Sequence, residues 1–266
     1  MSAGFTAIHR VANSSALSDT PVAPRRISIV IPALNEAPAL AALLPPRLPD
    51  EVSEVILADG GSVDDTCTFA MQRGWRVVRA PRGRAAQMNA GAAIASGDVL
   101  LFLHADTRLP GDFAQQIASV IERPGVVAGA FRLRIDSSGL ALRVIEKLAN
   151  LRSLILQMPF GDQAIFVPTA TFRAAGGYAE IPIMEDVELI RRLRRGLVPN
   201  PNRRGVPGQR GRGRIALASS SVLTSARRWQ RLGVLRATLL NQCCQWAYRC
   251  GVSPARIHRW YYGSRS

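Results

Sequence analysis

Apolar runs and polar segments alternate along residues 26–110, and the run at 99–103 shows most clearly what this pattern predicts. That run lacks alternation of apolar and polar positions, which is typical of a strand covered on both faces in a parallel sheet. It ends in His104, Ala105 and Asp106. A carboxylate at the end of a buried strand needs a charged or polar partner. Parallel sheets bind ligands beyond the carboxyl ends of their strands, so Asp106 is expected within reach of a ligand or metal.

The remaining pattern repeats strand, loop and helix. Strands are predicted at 26–32, 54–58, 75–78, 126–133 and 164–167, and helices at 37–44, from about 65, in the Ala-rich stretch after Gly83, and at 185–195. In the last helix Val187, Ile190 and Leu193 form an apolar stripe opposite an arginine face. The order predicts a doubly wound α/β domain. A G-x-G-x-x-G sequence does not follow the first strand, which disfavours a dinucleotide-dependent oxidoreductase.

Composition divides the chain into four predicted parts. Residues 1–24 are expected to be a disordered leader, because they lack the apolar core of a signal peptide. Residues 25–197 form the predicted catalytic domain, 198–221 a Pro/Gly/Arg-rich loop or insertion, and 222–266 a basic amphipathic helical segment. Runs of about 18 apolar residues are absent, and the four cysteines match neither a zinc site nor a disulfide framework. These features predict a cytoplasmic protein, peripheral at most to the inner face of the membrane.

The positive charge is confined to the C-terminal part. The formal charge is +15, yet residues 1–190 hold 17 lysines and arginines against 19 acidic residues, whereas residues 191–266 hold 17 arginines and no acidic residue. Such asymmetry predicts an acidic partner: phosphate groups, an anionic membrane surface or nucleic acid. Arginine also replaces lysine nearly everywhere, with Lys147 the only lysine, so coding bias is a second explanation. The apolar residues of 227–262 fit a membrane surface or packing onto the main domain.

Carboxylates follow the predicted strands or open a helix at three places: Asp59, Asp106, and the pair Glu185 and Asp186. Converging carboxylates suit a hard divalent cation, and Mg²⁺ usually completes its shell with substrate phosphates. A nucleotide diphosphate would supply those ligands. A single aspartate after a strand is more often a turn or a helix cap, so only the joint arrangement favours a site.

Four sequence blocks in a fixed order resemble those of family 2 glycosyltransferases. They are ISIVIPALNE, LADGGSVDDT, RGRAAQMNAGAAIASGDVLLFLHADT and the Glu185-Asp186 pair, and VLTSARRW at 222–229 extends the resemblance. Among subgroups, the chain most resembles small bacterial transferases associated with radical SAM and selenodomain proteins. The resemblance implies the GT-A fold, a doubly wound mixed sheet with helices on both faces, and transfer of a sugar from a nucleotide-diphosphate sugar.

The resemblance also implies roles for individual residues. Asp186 corresponds to the general base, with Glu185 orienting nearby groups, and Asp106 to the metal-binding aspartate of the family's D-x-D motif, for Mn²⁺ or Mg²⁺. The nucleotide-sugar site is expected to include Pro32, Asn35, Glu36, Asp59, Arg84, Asn89, His104 and Ala105. Gly161, Asp162 and Gln163 are expected either to border the acceptor site or to form a turn at the entry of a strand.

His104 is the departure from the family pattern, because it stands where the first aspartate of D-x-D is expected. A neutral imidazole binds Mn²⁺ better than Mg²⁺, so direct ligation predicts a preference for Mn²⁺. The other interpretation is a strand-end histidine hydrogen-bonded to backbone.

The predicted reaction is inverting transfer. Asp186 takes the acceptor's proton while the cation and Arg84 neutralise the leaving diphosphate. A sugar nucleotidyltransferase is the alternative, although PALNEAPAL replaces the glycine-rich, lysine-containing loop expected after its first strand. A basic nucleic-acid-binding protein is the third and least favoured class. The acceptor is open, and a lipid-linked or other hydrophobic hydroxyl compound fits the basic C-terminus.

Overall fold

The computed structural model describes residues 25–45, 47–196 and 212–263. In these residues the strands are β1 (Ile27–Ala33), β2 (Val52–Asp59), β3 (Arg76–Arg79), β4 (Val99–Phe102), β5 (Thr107–Arg108), β6 (Val126–Asp136), β7 (Phe166–Pro168) and β8 (Arg214–Ser225). The helices are α1 (Ala37–Leu40), α2 (Thr66–Gln72), α3 (Arg84–Ile94), α4 (Phe113–Ile121), α5 (Leu140–Ile155), α6 (Thr169–Ala174), α7 (Glu185–Arg194), α8 (Arg227–Leu232), α9 (Val234–Arg249) and α10 (Pro254–Tyr262).

The strands form one mixed sheet in the order β3-β2-β1-β4-β7-β6-β8-β5. β1 pairs in parallel with both β2 and β4, and every residue of β1 is buried. β7 runs antiparallel to β4 and β6, whereas β6 and β8 are parallel. The carboxyl ends of β1, β2 and β4 therefore meet at one edge, as the continuous apolar runs predict.

Separate apolar clusters cover the two faces of the sheet. Ile29 and Leu101 point into one cluster, whose helical members include Phe113 of α4, and Val30 and Leu100 point into the other, with Met88 of α3. Successive strand residues thus enter opposite clusters, because side chains alternate across a strand. The α/β fold with helices on both faces is confirmed, and the predicted stripe Val187, Ile190 and Leu193 is buried against the sheet.

The predicted loop at 198–221 is wrong for residues 214–221. These residues belong to β8, which pairs along most of its length with β6. Pairing with the long neighbouring strand overrides the weak local signal of a Ser- and Ala-rich sequence. The first part of the predicted loop, residues 198–211, and the predicted leader, residues 1–24, lie outside the described residues.

The C-terminal segment is helical from Arg227 to Tyr262, apart from short breaks, while residues 222–225 complete β8. Trp229 of α8 and Ala237 of α9 join Leu142 of α5 in a third core cluster. The segment therefore packs onto the main domain. Within the described part of the chain, no helix combines the length and apolar character needed to cross a membrane.

Candidate active site

The loops after β1 and β2 are joined by hydrogen bonds through residues predicted to line the nucleotide site. Asn35 has a positive φ of 55°; its backbone N–H donates to Ser62 Oγ and its Oδ1 accepts from Val63 N, both at 2.9 Å. The N–H of Glu36 donates to Thr66 Oγ1 at 2.8 Å. The two loops thus form one rigid wall at the carboxyl edge of the sheet.

Asp59 ends β2, and its carboxylate is held by its own loop. Oδ2 accepts from Gly61 N at 3.1 Å and Oδ1 from Ser62 N at 3.0 Å. Burial disfavours its charge, but hydrogen bonds from Ser62 and Gly61 outweigh burial and lower the pKa of Asp59. The geometry favours a turn-stabilising role. Contact of Asp59 with the base or ribose stays a prediction.

Two other residues predicted for the nucleotide site are buried in the framework. Pro32 lies inside β1, beside Ala58 of β2, and Ala105 belongs to the core cluster on one face of the sheet. Neither offers a side-chain donor or acceptor. Their predicted contact with the nucleotide would therefore be a van der Waals contact only.

Arg84 and Asn89 lie on α3 and have different surroundings. Arg84 opens the helix and keeps contact with solvent. Packing around Arg84 disfavours its charge, but nearby groups, chief among them Tyr262 and Glu185, more than offset this and raise its pKa. Asn89 instead anchors a turn, because its amide accepts from Tyr178 N at 2.8 Å and donates to Tyr178 O at 2.9 Å. Arg84 is therefore available for an anion, whereas Asn89 positions backbone.

Sequence reasoning missed Gln87, which lies one turn from Arg84 on α3. Its buried Nε2 donates to Ala33 O at 2.7 Å and to Ala58 O at 2.9 Å. These carbonyls lie at the ends of β1 and β2, so Gln87 fixes α3 against the edge that carries the candidate site. A glutamine in an Ala-rich helix carries no local signal for this role.

His104, Gly161 and Asp186 come together although 82 residues separate the first from the last in the chain numbering. Gly161 N donates to Asp186 Oδ2 at 2.7 Å. A Cβ added to Gly161 would lie 2.9 Å from His104 Nε2 and 3.5 Å from Asp186 Oδ2. Burial and the nearby Arg84 lower the pKa of His104, with Asp106 opposing, so the imidazole is neutral at pH 7.

Asp186 and Glu185 open α7 and differ in environment. Asp186 Oδ1 also accepts from Val187 N at 2.7 Å, so backbone donors hold both carboxylate oxygens. Glu185 is buried, and burial together with the charge of Asp186 raises its pKa, against the influence of Arg84. Adjacent carboxylates in unlike surroundings suit separate roles in proton transfer.

Asp162 and Gln163 follow Gly161 in a short 3-10 turn. Burial raises the pKa of Asp162 to about 6, although Arg152 opposes the shift, and the buried Oδ1 has no hydrogen-bond partner. Gln163 is fully buried; its Oε1 accepts from Ser153 Oγ at 2.7 Å and its Nε2 donates to Phe131 O at 3.0 Å. Asp162 is thus free to meet a ligand, whereas Gln163 fits the turn interpretation.

Arg227, at the start of α8, is a second residue that sequence reasoning missed. Its Nη2 lies 3.3 Å from Glu36 Oε2 and 3.6 Å from Asp106 Oδ2. The C-terminal segment thereby places a cation against two residues predicted for the donor site. The stretch VLTSARRW carried the signal, since it extended the family resemblance into this region.

The residues at the site fit a divalent cation that is bound jointly by the protein and a phosphate ligand. They do not fit a metal site built from protein side chains alone. Among the residues that the structure describes, no group of three or more His, Cys, Asp or Glu is placed to hold a metal ion. Asp106 offers a carboxylate with 36% of its side chain exposed, next to the neutral His104. Mg²⁺ commonly binds through one or two carboxylates and substrate phosphates, so Asp106 is sufficient in the presence of a diphosphate.

Comparison with known proteins identifies relatives of this fold. A curated relative, glucosyl-3-phosphoglycerate synthase of Mycobacterium tuberculosis, is 33% identical over 96 residues, which are 32% of this chain and 30% of the relative. The structure of that synthase with Mn²⁺, UDP and glucosyl-3-phosphoglycerate is similar over 86% of this chain and 81% of the synthase, with 21% identity and a TM-score of 0.55. The synthase has also been solved with Mg²⁺ and UDP.

A second structural neighbour is S. aureus TarS, residues 1–349, at 15% identity, with a TM-score of 0.55 over 89% of this chain and 70% of TarS. These neighbours share the fold. The model of the family "Glycosyl transferase family 2" matches residues 28–176, from the second residue of β1 to just beyond α6, and this range includes most of the candidate site but not Glu185 and Asp186. The chain therefore belongs to glycosyltransferase family 2, whose members are sugar-transferring enzymes.

Proposed function

We propose that the protein transfers a sugar from a nucleotide-diphosphate sugar, with UDP as the first nucleotide to test, to an acceptor hydroxyl. The observation that carries the proposal is that His104, Gly161 and Asp186 lie close together at the carboxyl edge of the sheet. Asp106 and Arg84 lie near His104. The Mycobacterium tuberculosis synthase, which shares the fold, binds UDP with Mn²⁺ or Mg²⁺. Family membership favours this reaction over a nucleotidyltransferase or a nucleic-acid-binding protein.

The donor diphosphate would lie at the N-terminus of α3, beside Arg84. Free backbone N–H groups at a helix start and an arginine side chain together favour phosphate oxygens. Asn35, Glu36 and Asp59 form the wall on the nucleotide side, and Asp106 would hold a Mn²⁺ or Mg²⁺ ion shared with the diphosphate. Such an ion neutralises negative charge on the leaving group. The neutral His104 is suited to donate or accept a hydrogen bond there.

We propose an inverting reaction with Asp186 as the general base. The acceptor oxygen bonds to the anomeric carbon, the bond from that carbon to the diphosphate oxygen breaks, and the acceptor's proton passes to Asp186. Backbone donors from Gly161 and Val187 hold the carboxylate in a fixed orientation. Glu185, with its raised pKa, would orient groups around the base.

The acceptor side is assigned to Gly161 and Asp162, next to Asp186. A hydrophobic or lipid-linked hydroxyl compound is the proposed acceptor class, because the C-terminal segment beside the site is basic and exposes apolar side chains. Phosphoglyceric acid, which the Mycobacterium tuberculosis synthase binds, is the small-molecule alternative. Membership of the radical SAM and selenodomain-associated subgroup, and peripheral attachment to a membrane, are part of the same proposal.

The test is binding and hydrolysis of UDP-, GDP- and dTDP-sugars with Mn²⁺ or Mg²⁺. The native chain is compared with Asp106→Ala, and Asp136→Asn, an exposed aspartate at the end of β6, is the control. Metal-dependent binding of one donor that Asp106→Ala abolishes and Asp136→Asn retains supports the proposal. Equal binding by all three proteins, or none by the native chain, contradicts it. Anomeric analysis of the product tests inversion.

A further inference from the structure

Helix α5 exposes an apolar stripe along most of its length. Leu140, Val144, Leu148, Leu151 and Ile155 recur at i, i+4, i+8, i+11 and i+15, and their exposed fractions range from 50% to 83%. These five residues are called the α5 stripe. The helix buries Leu142, Glu146 and Ser153 on its inner side. An amphipathic surface helix normally turns its apolar side inward, so a continuous outer stripe about 22 Å long marks an interaction surface.

The exposed side of α5 carries a single formal charge, and that charge is positive. Glu146 is buried, accepts a hydrogen bond from Ile135 N and pairs with Arg143 at 2.9 Å. Arg143 also donates to carbonyls at the end of β6, and Arg152 stacks at 3.5 Å on the Phe160 ring. Lys147 remains as the exposed charge of the helix. The α5 stripe is therefore apolar, and the only exposed charge of α5, on Lys147, is positive.

Helices α9 and α10 expose large apolar side chains among arginines. Leu235, Leu239, Trp246 and Trp260 are between 48% and 79% exposed. The guanidinium of Arg249 lies 5.6 Å from the Trp246 ring, and that of Arg256 lies 5.4 Å from the Trp260 ring. Residues 191–266 contain no acidic side chain. Exposed tryptophan, leucine and arginine without acidic residues are typical of helices that lie at a lipid interface.

The two surfaces border the same core. Leu142 on the inner side of α5 and Ala237 on the inner side of α9 belong to one cluster with Trp229. The outer sides of α5 and α9 are therefore both anchored to the domain through this cluster. Docking at either surface would therefore hold the domain that also carries the candidate active site.

We propose that the α5 stripe and the exposed side of α9–α10 dock onto an anionic bilayer surface. A two-fold symmetric contact with a second copy through α9 and α10 would set their arginines against one another, which like-charge repulsion disfavours. An anionic bilayer complements the arginines and accepts the leucines and tryptophans at the boundary between headgroups and acyl chains. The proposal deepens the membrane attachment within the proposed function by naming the docking surface.

The test is co-sedimentation of the full chain with vesicles of equal parts phosphatidylcholine and phosphatidylglycerol, compared with phosphatidylcholine alone. We expect binding to the anionic vesicles that falls with salt. L148Q/L151Q should bind at least about tenfold more weakly, because the double variant removes two large apolar side chains from the stripe. Met71→Gln is the matched control, since Met71 is 60% exposed on α2. It should bind like the native chain.

Thermal unfolding checks that each variant is folded. Equal vesicle binding by the native chain and L148Q/L151Q would overturn the proposal, as would no binding to anionic vesicles. Sedimentation velocity provides the third arm: a native dimer that L148Q/L151Q dissociates would assign the stripe to a second copy instead. Vesicle binding is measured without a sugar nucleotide, so its failure is distinguishable from a failure of the transferase proposal.

Discussion

The backbone N–H of Gly161 donates a 2.7 Å hydrogen bond to Oδ2 of Asp186, and the same glycine faces the imidazole of His104. This contact connects the turn before β7 to the start of α7. Gly161 therefore fixes the position of the proposed base.

Replacing Asp186 by Asn should slow transfer strongly without abolishing donor binding. The amide keeps the shape of the side chain, and its oxygen can still accept from Gly161 N, although its NH2 group then faces Val187 N and that hydrogen bond is lost. The amide cannot take a proton. General bases contribute about 10² to 10⁴ in rate, so we expect at least a hundredfold fall in turnover. Titration calorimetry with UDP and Mn²⁺ checks that the donor site is intact. Turnover by Asp186→Asn close to that of the native chain would contradict the assignment of Asp186 as the base.

Replacing Gly161 by Ala should lower turnover by displacing His104. The added Cβ would meet His104 Nε2 at 2.9 Å, a distance that forces one of the two groups to move. A misplacement of about 1 Å at a reacting centre can cost about a hundredfold in rate, so the smaller shift needed here should lower turnover by up to that factor. Gly111→Ala is the matched control, because a Cβ added there meets nothing within 4 Å. Unchanged turnover in Gly161→Ala would show that the imidazole position does not matter for the reaction.

The strands that carry the candidate site could be predicted because local sequence determines them. These strands contain unbroken apolar runs at residues 29–33, 55–58 and 99–103, each followed closely by polar residues, and such runs are buried on both faces of a parallel sheet. The residues after these runs accordingly lie at one edge. Composition was less informative between 134 and 163, where α5 turns much of its apolar surface outward.

The long-range contacts could not be predicted from the sequence. Arg227 reaches Asp106 because β8 pairs with β5 and because Ser225 N donates to Asp106 O at 3.1 Å. That pairing joins residues more than 100 positions apart, and the local pattern at 214–221 resembled a loop. The anchoring of Asn89 on Tyr178 is of the same kind, since neither residue has a local feature that identifies the other.

Replacing Asn89 by Ala should destabilise the fold. The substitution leaves the N–H and C=O of Tyr178 without their side-chain partners, and each unpaired buried group costs about 1–3 kcal/mol. We therefore expect a loss of about 2–4 kcal/mol in the free energy of unfolding, measured by urea denaturation. Gln72→Ala, at an exposed position ending α2, should change stability little. A direct role of Asn89 in phosphate binding predicts the reverse: unchanged stability and weaker UDP binding.

Replacing Arg227 by Gln should strengthen the binding of Mn²⁺ alone. The guanidinium competes with a cation for the Asp106 carboxylate, from which it lies 3.6 Å away. Because exposed ion pairs contribute at most about 1 kcal/mol, the gain in affinity should not exceed about fivefold. Arg231→Gln, at an exposed arginine on the same helix, is the control. Weaker Mn²⁺ binding in Arg227→Gln would show that the arginine supports the site rather than competing for it.

Replacing Asp162 by Asn should stabilise the fold at neutral pH and not in acid. Burial raises the pKa of Asp162 to about 6, so the folded state binds the proton more tightly than the unfolded chain, whose aspartates have a pKa of about 3.9. The native chain accordingly loses stability as the pH rises through about 4 to 6 and Asp162 ionises. Asn cannot ionise, and the difference in melting temperature between Asp162→Asn and the native chain should grow from about pH 4 to about pH 7. Asp136→Asn, at an exposed aspartate at the end of β6, is the control. If the difference in melting temperature between Asp162→Asn and the native chain is the same at pH 4 and pH 7, Asp162 ionises equally easily in the folded and the unfolded chain. That result would remove the reason for assigning its unpartnered Oδ1 to a ligand.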